Sequence, residues 1–268
     1  AEVPGPDPLA EMRAYTEGDR HLNSAYNFDF LYARQLTADA VSASQANWLG
    51  AEGEGWPSWA FSNHDAPRCV SRWFDGVAPD VRAKLTNALL YCLRGNPILY
   101  QGEELGLPQA EIAFEELQDP EAIANWPRTL GRDGARTPMP WSREEENCGF
   151  GPGKPWLPIG QGHAGLSVDI QEEDLGSVLN FTRELGRLRA SSQALRFGAI
   201  TFRSAADDVL VFHRSHGEET IECVFNLSGE PRSAAIAGID ASRILASVGG
   251  NLSAGQPVPA HSCRIARL

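Results

Sequence analysis

A polar cluster at the end of a short apolar run is the part of this sequence best suited to chemistry. The run Trp59-Ala60-Phe61 leads into Asn63, His64 and Asp65. Such a run predicts a buried parallel strand, and an α/β sheet presents its reactive side chains where its strands end. Asp65 would supply a negative charge and His64 a hydrogen-bond donor. Alternatively, Asp65 is the N-cap of a helix and His64 is a solvated neighbour.

Three segments of the chain, taken in order, resemble the signatures of one enzyme family. They are Phe61-Ser62-Asn63-His64-Asp65-Ala66-Pro67-Arg68, Leu99-Tyr100-Gln101-Gly102-Glu103-Glu104-Leu105-Gly106 and Arg132-Asp133-Gly134-Ala135-Arg136-Thr137-Pro138-Met139-Pro140-Trp141. The family is the α-amylase family, glycoside hydrolase family 13, and the segments favour its oligo-1,6-glucosidase and α-glucosidase branch. Pro140 departs from the family, in which glutamine is usual, and this should affect the loop more than the chemistry.

The resemblance implies a retaining glycosidase, which needs two carboxyl groups about 5–5.5 Å apart. Glu2 matches the general acid/base, although by itself it reads as a frayed terminal residue. Asp65 matches a third carboxylate, which holds sugar hydroxyls and favours an oxocarbenium-like ring. His64 matches a hydrogen-bond donor to the same sugar, a contact that raises turnover if it strengthens in the transition state.

Two further residues are candidate sugar contacts. Arg136 matches the family arginine that reaches the sugar at the cleavage subsite, and its alternative role is a structural ion pair with Asp133 or Glu103. Phe28 would form an aromatic wall for the sugar, with packing in the core an equally good interpretation. The resemblance implies an oligosaccharide or disaccharide as substrate.

The nucleophile of the family has no counterpart here. It is an aspartate in a Gly-Phe-Arg-x-Asp type of segment that precedes the acid/base glutamate, whereas this chain starts just before Glu2. The resemblance therefore covers only the second half of the catalytic barrel. The family's calcium or magnesium loop belongs to the first half, so we expect no metal and no cofactor. We expect the chain alone to be inactive, with the amino-terminal half of the barrel or a domain-swapped copy as partner.

Composition excludes several classes of function. The chain has 268 residues with 23 basic and 35 acidic side chains, a net charge of −12. This balance argues against nucleic acid and anionic membrane surfaces as partners. No apolar run approaches the roughly 20 residues that span a bilayer. The five cysteines are scattered and odd in number, which favours neither a disulfide framework nor a zinc site, and a cytoplasmic location is predicted.

The order of elements predicts an α/β fold. Short strands alternate with amphipathic helices up to Tyr100, which is typical of parallel βαβ units. With the resemblance, this gives the second half of a TIM (β/α) barrel over residues 1–194, including a long loop over 103–171 that its Trp-Pro clusters indicate is packed. A helix is predicted to start at Glu172-Glu173-Asp174 and to carry Leu175 on its apolar face. Residues 195–268 predict a small antiparallel β-sandwich.

The sequence is best interpreted as the C-terminal fragment of a retaining α-glucosidase that releases α-glucosyl units from the non-reducing end of short oligosaccharides or disaccharides. A transglycosylating enzyme of the sucrose isomerase or trehalose synthase type shares the same segments and is the nearer alternative. A non-catalytic binding protein on the same fold is the farther one. Linkage preference depends largely on residues near the nucleophile, which this sequence does not contain.

Overall fold

Three short parallel strands form the sheet from which the candidate residues extend. The computed structural model describes residues 1–3, 5–18, 20–48, 56–129, 131–250 and 252–268. The strands are β1 (Ala25–Asn27), β2 (Pro57–Ala60) and β3 (Asn96–Ile98), hydrogen-bonded in the order β1-β2-β3. A single parallel bridge between Glu2 and Tyr26 continues the sheet beyond β1. The predicted parallel βαβ arrangement is confirmed in this region.

Eight helices lie along the described part of the chain. They are α1 (Pro8–Thr16), α2 (Ala38–Ala46), α3 (Cys69–Arg72), α4 (Pro79–Cys92), α5 (Pro120–Asn125), α6 (Val168–Glu173), α7 (Val178–Ser191) and α8 (Gln193–Phe197). Local sequence explains where the first two begin. Asp7 caps α1, which has Pro8 at its first position, and Thr37 caps α2 by accepting a bond from the Ala40 amide. Short polar side chains at the N-cap satisfy amides that the helix cannot.

The helix predicted to start at Glu172-Glu173-Asp174 is interrupted. Glu172 and Glu173 are the last residues of α6, and Asp174 is its C-cap. Helix α7 starts at Val178, with Ser177 as its N-cap. The Asn180 side-chain amide donates to three carbonyls around the end of α6, those of Gln171, Glu172 and Asp174. These bonds therefore satisfy carbonyl oxygens that the interruption leaves without helical partners. Leu175 lies in the turn and is 88% exposed, so its predicted place on the apolar face is wrong.

The carboxyl-terminal part contains a five-stranded antiparallel sheet. Its strands are β4 (Ala199–Ala206), β5 (Val209–His216), β6 (Glu219–Asn226), β7 (Ile244–Val248) and β8 (Ser262–Arg267), in the order β4-β5-β6-β8-β7. Strands β5 and β6 form the predicted hairpin, whose tight turn uses Gly217 at a φ of 56°. The antiparallel character is confirmed. No second facing sheet occurs among the strands of the described ranges, so the β-sandwich stays a prediction.

One cluster of buried apolar side chains runs from the parallel sheet and its helices into the antiparallel sheet. The buried Arg214 on β5 reinforces this connection by donating to the carbonyls of Cys92 (2.6 Å), Leu93 (2.9 Å) and Gly198 (2.9 Å). Burial lowers the pKa of Arg214 to about 10. Because this pKa is still well above 7, the side chain is charged at neutral pH. The end of α4 and the start of the antiparallel sheet are thus held together.

Aromatic packing fixes the end of β2, from which the candidate loop leaves. Phe30 meets Trp59 and Phe61 edge to face, with ring centroids 5.5 and 5.2 Å apart, and Phe61 meets Trp73 at 5.1 Å. All four rings are buried. Edge-to-face rings add about 0.5–1.5 kcal/mol per pair beyond the burial of area. The loop that carries His64 and Asp65 therefore starts from a rigid base.

Candidate active site

The loop after β2 is shaped by the side chain of Asn63. Its Oδ1 accepts hydrogen bonds from the backbone amides of Asp65 (2.9 Å) and Ala66 (2.6 Å), and the residue is buried. An asparagine that bonds its own backbone two residues further on is a common turn former. The turn leaves His64 and Asp65 directed outward. Helix α3 begins only at Cys69, after Arg68, so the alternative interpretation of Asp65 as a helix N-cap is wrong.

Asp65 lies at the centre of a charged cluster. Its Oδ1 is 2.8 Å from Arg136 Nη2 and 3.5 Å from Arg132 Nη1, and its Oδ2 is 3.5 Å from His64 Nε2. Arg136 also donates from Nε to the His64 carbonyl at 2.7 Å. The Asp65 and His64 side chains remain 35% and 54% exposed. The cluster therefore combines a carboxylate, two guanidinium groups and an imidazole that solvent and solutes can reach.

The two acidic residues suggested as alternative partners of Arg136 are occupied elsewhere. Asp133 is buried and accepts from the amides of Gln118 and Asp119 at 2.6 and 2.8 Å. Glu103 is buried and accepts from Ser62 Oγ at 2.6 Å, and burial raises the pKa of its carboxyl. The predicted structural ion pair with either residue is wrong, because Arg136 pairs with Asp65.

Glu2 and Phe28 are both neighbours of Tyr26 on β1. Glu2 forms its parallel bridge to Tyr26 of β1, and Phe28 meets the Tyr26 ring edge to face at 5.4 Å. Burial is the main cause that raises the pKa of Tyr26 to about 12. A hydrogen bond to the Asn63 side chain acts in the opposite direction, and the Glu103 and Glu2 carboxylates add to the rise. Glu2 therefore neighbours the strand whose Tyr26 reaches Asn63 of the loop. Its catalytic role stays a prediction.

Phe28 packs in a small cluster of apolar residues beneath the loop. The cluster contains Leu31, Ala60 and Ala66 as well as Tyr26, and Phe28 is partly buried within it. Packing is thus the role that its contacts demonstrate. The aromatic wall for a sugar remains a prediction.

The Arg132–Asp119 pair was not predicted as part of the site. Arg132 donates from Nε and Nη2 to both oxygens of Asp119 at 3.0 and 2.8 Å, and its backbone amide donates to the same carboxylate at 2.8 Å. This fork holds the pKa of the Asp119 carboxyl well below its usual range and raises the pKa of Arg132. Bidentate pairs of this kind fix orientation. The fork positions Arg132 so that its remaining nitrogen faces Asp65.

Replacing Asp119 with asparagine is expected to destabilise the chain by about 1–3 kcal/mol, because a bidentate carboxylate with a buried side chain is lost. The folded-state pKa of Asp119 is depressed, so its stabilisation is present above the unfolded pKa of about 3.9 and is lost as pH falls through the lower folded value. Urea unfolding between pH 2 and 7 should show a shallower acid slope in Asp119→Asn. The exposed control is Asp80→Asn, which should keep the acid slope of the unsubstituted chain. The same acid slope in Asp119→Asn would contradict the pairing.

An open cleft of about 680 Å³ adjoins Arg136. Its lining comprises Tyr100, Gln101, Glu104, Arg136, Thr137, Pro138, Met139, Trp141, Phe150 and Trp156. The side chains of Trp141, Phe150 and Trp156 are 51–62% exposed. The prediction that the Trp-Pro clusters make this loop a packed one is compatible with these exposed rings, because Leu157, next to Trp156, is buried. Within the loop, α5 and several 3₁₀ turns provide local order.

Within the ranges that the structure describes, no group of three or more His, Cys, Asp and Glu residues is arranged to hold a metal ion. In the same ranges, no helix has the length and apolar character needed to cross a bilayer.

A sequence profile described as "Alpha amylase, catalytic domain" matches residues 7–198, from just before α1 to the end of the last helix. The chain belongs to the α-amylase family of glycoside hydrolases. The match ends where the antiparallel sheet begins, at Ala199. The resemblance of the three signature segments is thereby confirmed at the level of the family.

Individual relatives support the glucosidase branch. A "Probable alpha-glucosidase" from Rhizobium meliloti strain 1021 is 46% identical over 217 residues, which are 81% of this chain and 39% of the relative. The oligo-1,6-glucosidase of Parageobacillus thermoglucosidasius is 28% identical over 259 residues, 85% of this chain and 46% of the relative. The chain therefore spans less than half the length of these curated relatives.

Solved structures agree on the fold. An "alpha-glucosyl transfer enzyme", XgtA, superposes with a TM-score of 0.85 and 38% identity over 99% of this chain and 50% of that one. A trehalulose synthase from Pseudomonas mesoacidophila superposes at 0.81 with 24% identity, over 97% of this chain and 53% of that one. At that identity the second structure supports the fold alone.

Proposed function

We propose that this chain is the carboxyl-terminal part of a retaining α-glucosidase, an enzyme that releases α-glucosyl units from the non-reducing end of short oligosaccharides or disaccharides. The observation that carries the proposal is the cluster at the end of β2, in which Asp65 is held by Arg136 at 2.8 Å and remains accessible. A carboxylate oriented by a guanidinium group is suited to hold the hydroxyls of a sugar.

The proposed mechanism divides the chemistry between this chain and the preceding half of the barrel. Glu2 protonates the leaving oxygen and later activates water. Asp65, with His64 and Arg136, binds the sugar more tightly as its ring approaches the oxocarbenium-like transition state. The nucleophilic aspartate, which attacks the anomeric carbon to form a covalent glucosyl intermediate, comes from the preceding half.

The partner we propose is the amino-terminal half of the barrel, or the same segment of a swapped copy. Two features support it. The outer edge of β3 is not hydrogen-bonded to another strand in the described sheet, and open strand edges normally gain a partner in a barrel. The cleft that follows β3 exposes Trp141, Phe150 and Trp156, and clustered exposed aromatic rings are typical of interaction surfaces.

The five cysteines are buried free thiols, which supports a reducing, cytoplasmic location.

The test is to join the amino-terminal part of the Rhizobium meliloti relative to this chain ahead of Ala1, giving what we call the joined enzyme. We expect it to release glucose from maltose, isomaltose or sucrose with retention of the α configuration. This chain alone and the amino-terminal part alone should release none. A joined enzyme that unfolds cooperatively, as judged by thermal melting, yet cleaves no α-glucoside would contradict the proposal.

Transglycosylation is the second candidate function. The similarity to the "alpha-glucosyl transfer enzyme", at 38% identity over nearly the whole chain, favours it. A transferase passes the same glucosyl intermediate to an acceptor instead of to water. Chromatography of the products from sucrose and maltose would separate the two, because a hydrolase accumulates free glucose whereas a transferase or isomerase accumulates new disaccharides or longer glucosides.

A further inference from the structure

The carbonyl oxygen of Ala135 is surrounded by three donors. Tyr100 Oη lies at 3.0 Å, Arg68 Nη2 at 3.2 Å and Gln101 Nε2 at 3.4 Å. Ala135 is fully buried. A carbonyl has two lone pairs, so three convergent donors saturate it and fix the peptide unit that joins Ala135 to Arg136.

Arg68 connects this carbonyl to the loop that carries Asp65. Its side chain is fully buried, Nη1 donates to the Gln101 carbonyl at 2.7 Å, and its guanidinium lies 5.4 Å from the Tyr100 ring centroid. Its backbone amide donates to Gln109 Oε1 at 3.0 Å. Burial lowers the pKa of Arg68, but an arginine remains charged in proteins. A buried guanidinium is costly unless it is hydrogen-bonded. Both terminal nitrogens of Arg68 have carbonyl acceptors, so this fork resists displacement, while the buried Nε has no partner among the described residues.

The clamp, by which we mean Arg68, Tyr100 and the Ala135 carbonyl, joins the two halves of the charged cluster. Arg68 follows Asp65 by three residues in one loop, and Ala135 directly precedes Arg136 in another. The contact between Asp65 Oδ1 and Arg136 Nη2, at 2.8 Å, bridges these same two loops. The relative position of the loops decides whether that contact forms.

We propose that Arg68 and Tyr100 are positioning residues, which hold Arg136 against Asp65 through the Ala135 carbonyl. This inference rests on the proposed function, in which Asp65 and Arg136 contact the sugar. Neither clamp donor needs to touch the substrate. A 1 Å misplacement of a binding group can cost two orders of magnitude in rate, so a small shift of the loop is sufficient to matter.

The conservative variant Tyr100→Phe removes one donor and keeps the ring beside Arg68. In this chain, labelled with carbonyl-¹³C alanine and ¹⁵N arginine, Ala-Arg pairs occur at 33–34, 135–136 and 266–267. We expect the Ala135–Arg136 correlation to move in Tyr100→Phe while the other two stay in place. The Arg136 Nε–H signal, assigned by its loss in Arg136→Lys, should also move, because that group donates to the His64 carbonyl. Tyr15→Phe, an exposed site, is the matched control.

In the joined enzyme we expect Tyr100→Phe to lower kcat/KM about 10-fold, the value of one hydrogen bond, and Arg68→Lys to lower it about 100-fold. The loss should lie mainly in kcat, with the melting temperature of Tyr100→Phe lowered by no more than about 4 °C. An unmoved Arg136 Nε–H signal in Tyr100→Phe would overturn the inference even if the Ala135 signal shifts. An inactive unsubstituted joined enzyme would instead count against the proposed function, and the two signals would still decide the clamp.

Discussion

Replacing Asp65 with asparagine in the joined enzyme is expected to lower kcat/KM about 10³-fold, since a carboxylate that stabilises the charge of the transition state is lost. The substitution keeps the size of the side chain and removes its charge. Arg136 Nη2, now 2.8 Å from the carboxylate, would then face a neutral amide. The loss should appear largely in kcat, because the proposed contact strengthens as the ring becomes oxocarbenium-like.

Stability separates this catalytic role from a structural one. The Asp65 side chain is 35% exposed, and ion pairs that water reaches contribute about 0–1 kcal/mol. Urea unfolding of Asp65→Asn should therefore differ by less than about 1 kcal/mol from that of the unsubstituted chain. Asp75→Asn, at an exposed position of the same part of the chain, should change neither measurement. A large loss of stability with unaltered turnover would assign Asp65 to structure.

Local features of the site could be predicted from the sequence. The Asn63-His64-Asp65 turn depends on a side chain that bonds amides two and three residues away, so short-range chemistry determines it. The strand before it and the caps of α1 and α2 follow from equally local rules. For this reason the position of His64 and Asp65 at the end of β2 is confirmed.

The partners of these residues could not be predicted from local rules. Arg136 and Asp65 are 71 residues apart, and Arg68 and Ala135 are 67 apart. Which of several nearby carboxylates an arginine reaches depends on how loops pack, and the sequence offered only Asp133 or Glu103 as ion-pair partners in the alternative role of Arg136. The signal that could have revealed Arg132 is its place in the same signature segment as Arg136.

The prediction of one continuous helix across the break between α6 and α7 failed for a different reason. The apolar pattern continues through Leu175 and Val178, so periodicity alone predicts one helix. The competing signal is the Gly176-Ser177 pair, in which the glycine weakens the helix and the serine caps the next one. The side chain of Asn180 then satisfies the carbonyls that the break exposes. Local hydrogen bonding outweighed the hydrophobic pattern.

Replacing Glu2 with glutamine in the joined enzyme is expected to lower kcat/KM about 10²–10⁴-fold on maltose or isomaltose, the contribution typical of a general acid. A sugar leaving group must be protonated as the glycosidic bond breaks, and glutamine cannot do this. The nitrophenolate leaving group of a nitrophenyl glucoside departs readily as an anion, so the cleavage of its glycosidic bond should be slowed far less. The ratio of the kcat/KM values on the two substrates therefore measures proton donation by residue 2, independently of any general loss of folding.

The control for this comparison is Glu17→Gln, an exposed glutamate in the turn after α1. It should leave kcat/KM on both substrates unchanged. Equal losses on the two substrates in Glu2→Gln would remove Glu2 from the acid/base role. In that case the proton donor would have to come from another residue near the Asp65 loop.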